Sequence, residues 1–467
     1  MELSIAKMLS LMWSFMLGYI KSINKEQLKK VLLWTFILGI IAHGYCYFNG
    51  NFSHDCLNAL IYSSEEYIHQ ISIGRVLRPI YSMIKGDIEL PLINGLLSLL
   101  FIGISAYLVI DITELKKDVS KFFVCSIMVT NYSVTLLNAT YLHDSDCYGL
   151  ALVFSVLGIL CFRKINKGYL YALIFCFLSL GLYQAYIQVT IILLIICSIK
   201  DLISNKNYKE VLKSIILGFL IIGISMILYF VTYKAALLIG GIEQSTDNNS
   251  ISSAVSLSIS GIISNIFLAL KTEAVWFLLP RANNTIAIVI INFVMVIVSI
   301  FVIFKTIIRN KIAKNNIIIL ILLLLVSPFA MSSIIIISAM KHDLIIYAWF
   351  LLYVLVILLI EQYDYKKISI IITILFAIMT IDNCIYSNQV YLKKELESQS
   401  TLSLMTRLID RIEQNEEYVV GETPGAITGY FNDSQLTQKR DKFDYRGTGL
   451  QYVYAVTYFS SYKEYFN

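Results

Sequence analysis

The chain is short of charge. Only 15% of its 467 residues are Asp, Glu, Lys or Arg, against about 25% in an ordinary soluble domain. With 57% apolar residues and a mean hydropathy of +0.72, one soluble core cannot hide its apolar surface. That excludes a soluble enzyme, a disordered protein and a nucleic-acid-binding protein, and leaves a polytopic membrane protein. Only five prolines occur. The eight cysteines show no CxxC or Cys/His spacing, so no metal-binding or redox motif is present. Cys125, Cys161, Cys176 and Cys197 lie in apolar runs and act as small hydrophobes. Cys46, Cys56, Cys147 and Cys384 fall near one membrane face, where no spacing calls for a disulfide. A cleavable leader is not expected: Met1 to Ile20 intersperse Glu2 and Lys7 among apolar positions and read as an amphipathic surface helix or a marginal span.

What is present is a series of apolar runs of spanning or near-spanning length, at 31–48, 91–112, 121–139, 147–162, 169–183, 185–199, 211–233, 284–304, 315–338, 344–360 and 368–386. The net charge of +5 is a sorting signal. Lys7 and the segments 21–30, 114–121, 163–167, 200–213, 305–314 and 361–367 hold 21 of the 37 basic residues. The opposite loops hold seven, namely Arg75, Arg78, Lys85, Lys234, Lys271, Arg281 and Lys341, and the remaining nine lie in the tail. The positive-inside rule then predicts eleven spans with the N-terminus cytoplasmic and the C-terminus outside. The expected organisation is a cytoplasmic-side segment (1–30), a membrane domain (31–386) with outer loops 49–90 and 234–281, and an extracytoplasmic C-terminal domain (387–467).

In the first outer loop, Leu57, Leu60, Ile61, Tyr67, Ile68 and Ile71 share one helical face behind Ser53 as N-cap, as in a helix lying flat on the membrane. The stretch Ile251 to Trp276 reads as a re-entrant or surface helix. The tail opens with a charged helical stretch, Lys393 to Glu417, followed by a β-like run from Tyr418 and a turn-rich end, a small domain of mixed structure. No internal repeat is visible, and no charged residue occupies the middle of a predicted span. Both count against a transporter.

The unusual polar residues gather on the outer face instead. Four clusters stand there: Asn51-Phe-Ser-His-Asp55, Gly74-Arg75-Val-Leu-Arg78-Pro79, His143-Asp144-Ser-Asp146, and Gly181-Leu-Tyr183-Gln184-Ala-Tyr186-Ile-Gln188. Group transfer from a lipid-linked donor needs these residue types. A carboxylate takes the proton of an acceptor hydroxyl. Guanidinium forks hold a departing phosphate. Amides and aromatic faces suit sugars. Each residue also has a plainer reading. Asp55, Asp144 and Asp146 are acids at helix N-termini. Arg75 and Arg78, one turn apart, meet lipid head groups. Tyr183 is an interface anchor, Gln184 satisfies a tight turn, and Lys341 keeps an outer turn in water. Asp55, Asp144 and Asp146 have the oxygen chemistry for a divalent cation, but no spacing demands one, and no cofactor is expected.

The same clusters resemble the GtrII-type glucosyltransferases, over about residues 45–360. The matching phrases are the loop Asp55, Ile-Gly74-Arg75-Val-Leu, His-Asp144-Ser-Asp146 and, most specifically, Ser179-Leu-Gly-Leu-Tyr183-Gln184-Ala-Tyr186. Where the family often has a second acid beside the loop aspartate and an aromatic after Gly-Arg, this chain has His54 and Val76. The resemblance implies an all-α GT-C-like membrane fold. It also implies transfer of a hexose, with glucose favoured, from a polyprenyl-phosphate carrier to a cell-surface glycan. Asp55 would be the catalytic base, Arg75, Arg78 and Lys341 the donor-phosphate contacts, and Asp144, Asp146, Tyr183 and Gln184 substrate contacts. A carrier-loading transferase and a small flippase are the partners implied. Competing readings are a lipid-linked glycan flippase or exporter, a surface-glycan polymerase, and a non-catalytic scaffold.

Overall fold

A computed structural model describes residues 14, 17–50, 53, 56, 64–86, 90–165, 167–245, 258–280, 285–340, 342–363 and 366–419. Asp55 and Lys341 lie outside them, as do Leu57, Leu60, Ile61 and the tail beyond Val419. Among the described residues the protein is helical, with no strand. In chain order the helices are α1 (Lys25–Asn49), α2 (Ser64–Ser72), α3 (Arg78–Lys85), α4 (Pro91–Thr113), α5 (Asp118–Thr130), α6 (Tyr132–Thr140), α7 (Ser145–Lys164), α8 (Tyr169–Leu182), α9 (Ile187–Ile203), α10 (Tyr208–Gly240), α11 (Ile259–Leu278), α12 (Ile286–Arg309), α13 (Lys314–Met331), α14 (Ser333–Ser338), α15 (Leu351–Tyr363) and α16 (Lys366–Glu413). Short 3-10 turns, Leu142–Asp144, Gln184–Tyr186 and Asp343–Phe350, lead into α7, α9 and α15. The result is an all-α, multi-pass membrane protein, with eleven helices long and apolar enough to span a bilayer among the described residues.

That total has a different membership from the one read in the sequence. α8 has only 14 residues, about 21 Å at 1.5 Å per residue, and is shorter than a hydrocarbon core of about 30 Å. α11 qualifies by length and composition. Its tethers, however, hold it at one end of the bundle. Asn265 donates to Ile336 O of α14 at 3.0 Å, Ser332 donates to Glu273, and Asn292 of α12 donates to Phe277 O at 3.2 Å. All three partners are remote from Arg309 and Lys314 at the other end of α12 and α13.

The basic segments converge at that other end. Lys30 pairs with Asp118 at 3.0 Å, Lys164 with Asp111 at 2.8 Å, Lys200 with Glu114 at 2.6 Å and Lys206 with Asp201 at 2.7 Å, with Arg163 on the same Asp201. Asn316 donates to Leu202 O and Lys206 O, and Gln362 to Ser204 Oγ at 2.9 Å. The charge clusters that alternate along the sequence therefore form one face of the fold.

The run 121–139 is two helices rather than one. Asn131 is extended, caps α6 by accepting from Val134 N, and donates back to Ile127 O at 2.9 Å and Met128 O at 3.1 Å. Its amide thus takes over both severed ends of the ladder. The expected boundary at 386 falls inside α16, which continues without a break from the last span through the charged stretch to Glu413. Tyr418 and Val419 are not in a strand. All eight cysteines are free and buried.

α1 and α4 cross closely because glycine permits it. A Cβ on Gly95 would sit 2.4 Å from the Tyr47 ring, and one on Gly39 would sit 2.4 Å from Leu99. Overpacking at such a site costs about 1–3 kcal/mol. Gly95→Val is therefore expected to lower the unfolding temperature of the purified protein in detergent, whereas an unchanged melting curve would show that this crossing carries no packing constraint.

Candidate functional site

The end of the bundle away from the basic face holds a second charged cluster, and it is buried. Its frame is the turn between α2 and α3. Gly74 adopts φ +94°, which favours glycine, and the turn closes through Arg75 N donating to Gln70 O at 2.9 Å. Three successive carbonyls of this turn are each taken up by a side chain. Tyr233 Oη donates to Ser72 O at 2.7 Å, Gln184 Nε2 to Ile73 O at 3.3 Å, and Tyr229 Oη to Gly74 O at 2.7 Å. Gln184 also donates to Tyr229 Oη at 3.0 Å. One backbone bond, Leu77 N to Gly181 O at 2.9 Å, joins the turn to the end of α8. A Cβ on Gly181 would meet Leu77 at 2.6 Å. Two of the sequence clusters are thus fastened to one another directly.

Arg78 opens α3, with Pro79 in the first helical turn where its missing N–H costs nothing. Its side chain is fully buried. Nε donates to Asp144 Oδ1 at 2.6 Å, a second nitrogen meets the same oxygen, and the third bonds Ser82 one turn on. Arg75 approaches the other oxygen of Asp144 at 3.5 Å and takes Gln70 Oε1 at 3.2 Å. Its guanidinium lies 5.2 Å from the Tyr148 ring and 5.6 Å from that of Tyr183, within cation–π reach. The two rings stack at 4.2 Å. Burial works against the Arg75 charge, but Tyr148 and Asp144 outweigh it and raise its pKa above the ordinary guanidinium value. Arg75 therefore stays charged, and at 17% side-chain exposure it still reaches the surface, whereas Arg78 does not.

Asp146, fully buried in the first turn of α7, takes different partners. Tyr81 Oη donates to it at 2.8 Å and Lys85 Nζ lies 3.5 Å away. Burial and this carboxylate push the Tyr81 phenol up, so it remains a donor. Lys85 also donates to His143 O at 3.0 Å, beside Asn94 at 3.3 Å. The α3 face of Arg78, Tyr81, Ser82 and Lys85 thus points inward, while Ile80, Met83 and Ile84 are exposed on the opposite face. The polar cluster is roofed by a helix whose outer face suits lipid.

Ser53 and Cys56, which flank Asp55 in the sequence, are both tied to the site end. Ser53 Oγ accepts from Cys56 N at 3.1 Å and donates to Thr140 O at the end of α6. Cys56 Sγ lies 3.3 Å from His143 Nδ1, and His143 Nε2 is 3.9 Å from Asp144.

Of the residues expected from sequence, Arg75, Arg78, Asp144, Asp146, Tyr183 and Gln184 come together in this region. Asp55 and Lys341 lie outside the described residues. Sequence reading missed Tyr148, Tyr81, Ser82, Lys85 and Tyr229. The α3 group was detectable, because positions 78, 81, 82 and 85 fall on one helical face. Tyr148 and Tyr229 sit in apolar helices and carried no signal. Among the described residues no group of three His, Cys, Asp or Glu side chains is placed to hold a metal ion.

A family profile described as Glucosyl transferase GtrII matches residues 44–360, a range that takes in every element of this cluster. The chain belongs to the GtrII glucosyltransferase family. No curated protein and no solved structure matches it significantly. The protein is accordingly a membrane glucosyltransferase, and the buried cluster is its candidate active-site wall.

Removing one partner of a buried ion pair costs about 3–5 kcal/mol, because the other charge is stranded. Asp144→Ala should therefore lose folded protein in membranes, and pairing it with Arg78→Met should restore part of it. Folding of the single variant at wild-type yield would show that the pair is not the structural core of this end.

Proposed function

We propose that this glucosyltransferase takes glucose from a polyprenyl-phosphate carrier in the outer leaflet and passes it to a cell-surface glycan by a single inverting displacement. The observation that carries the reading is Arg75: a charged, partly exposed guanidinium, held by Asp144 and two tyrosine rings, next to a helix with a lipid-suited outer face. A phosphate at the head of a lipid would meet that cation without leaving the bilayer surface. Arg78 is saturated by Asp144 and Ser82, so its part is to fix Asp144 and, through it, Arg75. Asp146 orders Tyr81 and Lys85 in the same way. Tyr183 shapes the Arg75 shelf, and Gln184 splints the turn below it. Lys341 is a further candidate cation for the phosphate.

The chemistry then needs one base. Asp55 stands in the sequence between the two anchored residues Ser53 and Cys56, and the family resemblance gives it that role. It accepts the proton as the acceptor hydroxyl attacks the anomeric carbon. The bond from that carbon to the carrier phosphate breaks, and its electron pair leaves on the phosphate oxygen, matched by Arg75. No metal enters these steps. The support for orientation is the positive-inside rule: the face with the basic segments is cytoplasmic, which puts the N-terminus inside and the site outside. The carrier-loading transferase and small flippase supply the donor to that leaflet.

Purified protein given radiolabelled polyprenyl-phosphate glucose or a nucleotide-linked glucose, each with acceptor glycan, should transfer from the lipid donor alone. Asp55→Asn should slow transfer by about 100-fold or more, and Arg75→Ala should raise KM for the donor more than for the acceptor. Transfer from the nucleotide donor, or a wild-type rate in Asp55→Asn, would overturn the reading.

A further inference from the structure

The apolar run read as one span at 315–338 is two helices, and the joint between them is buried. α13 ends at Met331, with Pro328 in its last turn, and α14 begins at Ser333. Met331, Ser332 and Ile335 are each at most 3% exposed. The last carbonyls of one helix and the first N–H groups of the next therefore look for partners inside the protein. One side chain reaches both. Gln188, fully buried in the first turn of α9, turns its amide nitrogen to Met331 O at 2.6 Å and Ile345 O at 3.0 Å, and its oxygen to Ile334 N at 2.9 Å. An amide supplies donors and an acceptor together, with no charge to desolvate. Trp349 Nε1 gives Met331 O a second donor at 3.0 Å. From α11, Glu273 accepts from Ser332.

Gln188 belongs to the same stretch of chain as Tyr183 and Gln184. Gln184 ties that stretch to the segment carrying Arg75, through Ile73 O. Gln188 ties it to the 3-10 turn Asp343–Phe350, through Ile345 O. Rings join the two ties. Tyr347 of the 3-10 turn meets Tyr186 edge-on at 5.3 Å, Tyr186 meets Tyr183 edge-on at 5.0 Å, and Tyr183 stacks on Tyr148 at 4.2 Å. All four rings are buried, and Tyr347 Oη donates to Met128 O at 2.9 Å. A row of tyrosines thus runs from the joint closed by Gln188 to the two rings beside the Arg75 guanidinium. Close-packed side chains transmit a displacement.

We propose that Gln188 is a positioning residue of the transfer reaction. By closing the α13–α14 joint and pinning Ile345, it backs the tyrosine row and so fixes the shelf from which Arg75 meets the donor phosphate. The proposal rests on the donor reading argued above.

The test is a double-mutant cycle, because a path through packed rings is established only by coupling. Gln188→Met keeps length and burial and removes all three amide contacts. It should raise KM for lipid-linked glucose about tenfold, the effect of about one hydrogen bond, and leave KM for the acceptor glycan within about twofold. In an Arg75→Ala background the same change should add less than about twofold. Equal effects on both substrates, or a full tenfold on top of Arg75→Ala, would reduce Gln188 to a structural tie and overturn the proposal. If Gln188→Met does not fold, Gln188→Asn, which withdraws the amide by one carbon, goes through the same cycle and is judged by the same outcomes. A second readout needs no sugar. Ala339 is exposed, and stands in the sequence between the pinned residues Ile334 and Ile345. All eight native cysteines are buried, so a water-soluble maleimide on Ala339→Cys reports on that position. Adding Gln188→Met should change the labelling rate about threefold or more as the pinned segment loosens. A protein that rejects lipid-linked glucose would sink the donor reading, whereas an unchanged labelling rate in a protein that uses it would overturn this proposal alone.

Discussion

The candidate-site end of the bundle depends on one desolvated ion pair. Arg78 and Asp144 are both fully buried, and neither is tolerable there alone, because an unpaired charge in a low-dielectric interior costs several kcal/mol. Their pairing fixes where α3 enters, since Arg78 is its first residue, and where α7 begins, since Asp144 immediately precedes it. With both helices set, the remaining oxygen of Asp144 is presented to Arg75. The pair contributes positional definition. On the proposed function Arg75 meets the donor phosphate, a task that needs a fixed shelf, and two stacked tyrosines beside the guanidinium supply one.

The turn between α2 and α3 answers to the same constraint. Its backbone is buried, so each carbonyl needs a donor. Tyr233, Gln184 and Tyr229 provide these from α10 and from the short turn before α9. Helices far apart in sequence thereby share one joint, and the tight approach at Gly181 leaves no room for slippage. The brevity of α8 follows from this arrangement: the chain leaves helix at Tyr183 so that its ring can reach Tyr148 and Gln184 can reach the turn.

Much of this was legible in the sequence because it is written in charge. The basic clusters that alternate along the chain meet at one end of the bundle, and the break at Tyr183-Gln184 falls where a polar pair interrupts an apolar run. Other features left no local mark. The break at Asn131 occurs with no proline or glycine, since an asparagine amide can serve both helix ends. α11 is apolar enough to span, and only its contacts with α12 and α14 place it at one end. The pairing of Arg78 with Asp144 spans 66 positions, and no periodicity reports on such a distance. Lys394 falls in the charged helical stretch Lys393 to Glu417 of the sequence reading; its burial appears only once α16 meets α6.

The central claim is that Arg75, held by the Arg78–Asp144 pair, is where the carrier's phosphate binds. The most direct measurement is a cryo-electron microscopy map of the protein in lipid nanodiscs with polyprenyl phosphate. The account predicts phosphate density within hydrogen-bond distance of Arg75, with Arg78 still on Asp144 and the lipid chain leaving past Ile80, Met83 and Ile84. Phosphate density at the opposite end, among the basic segments around Asp201 and Glu114, would contradict it.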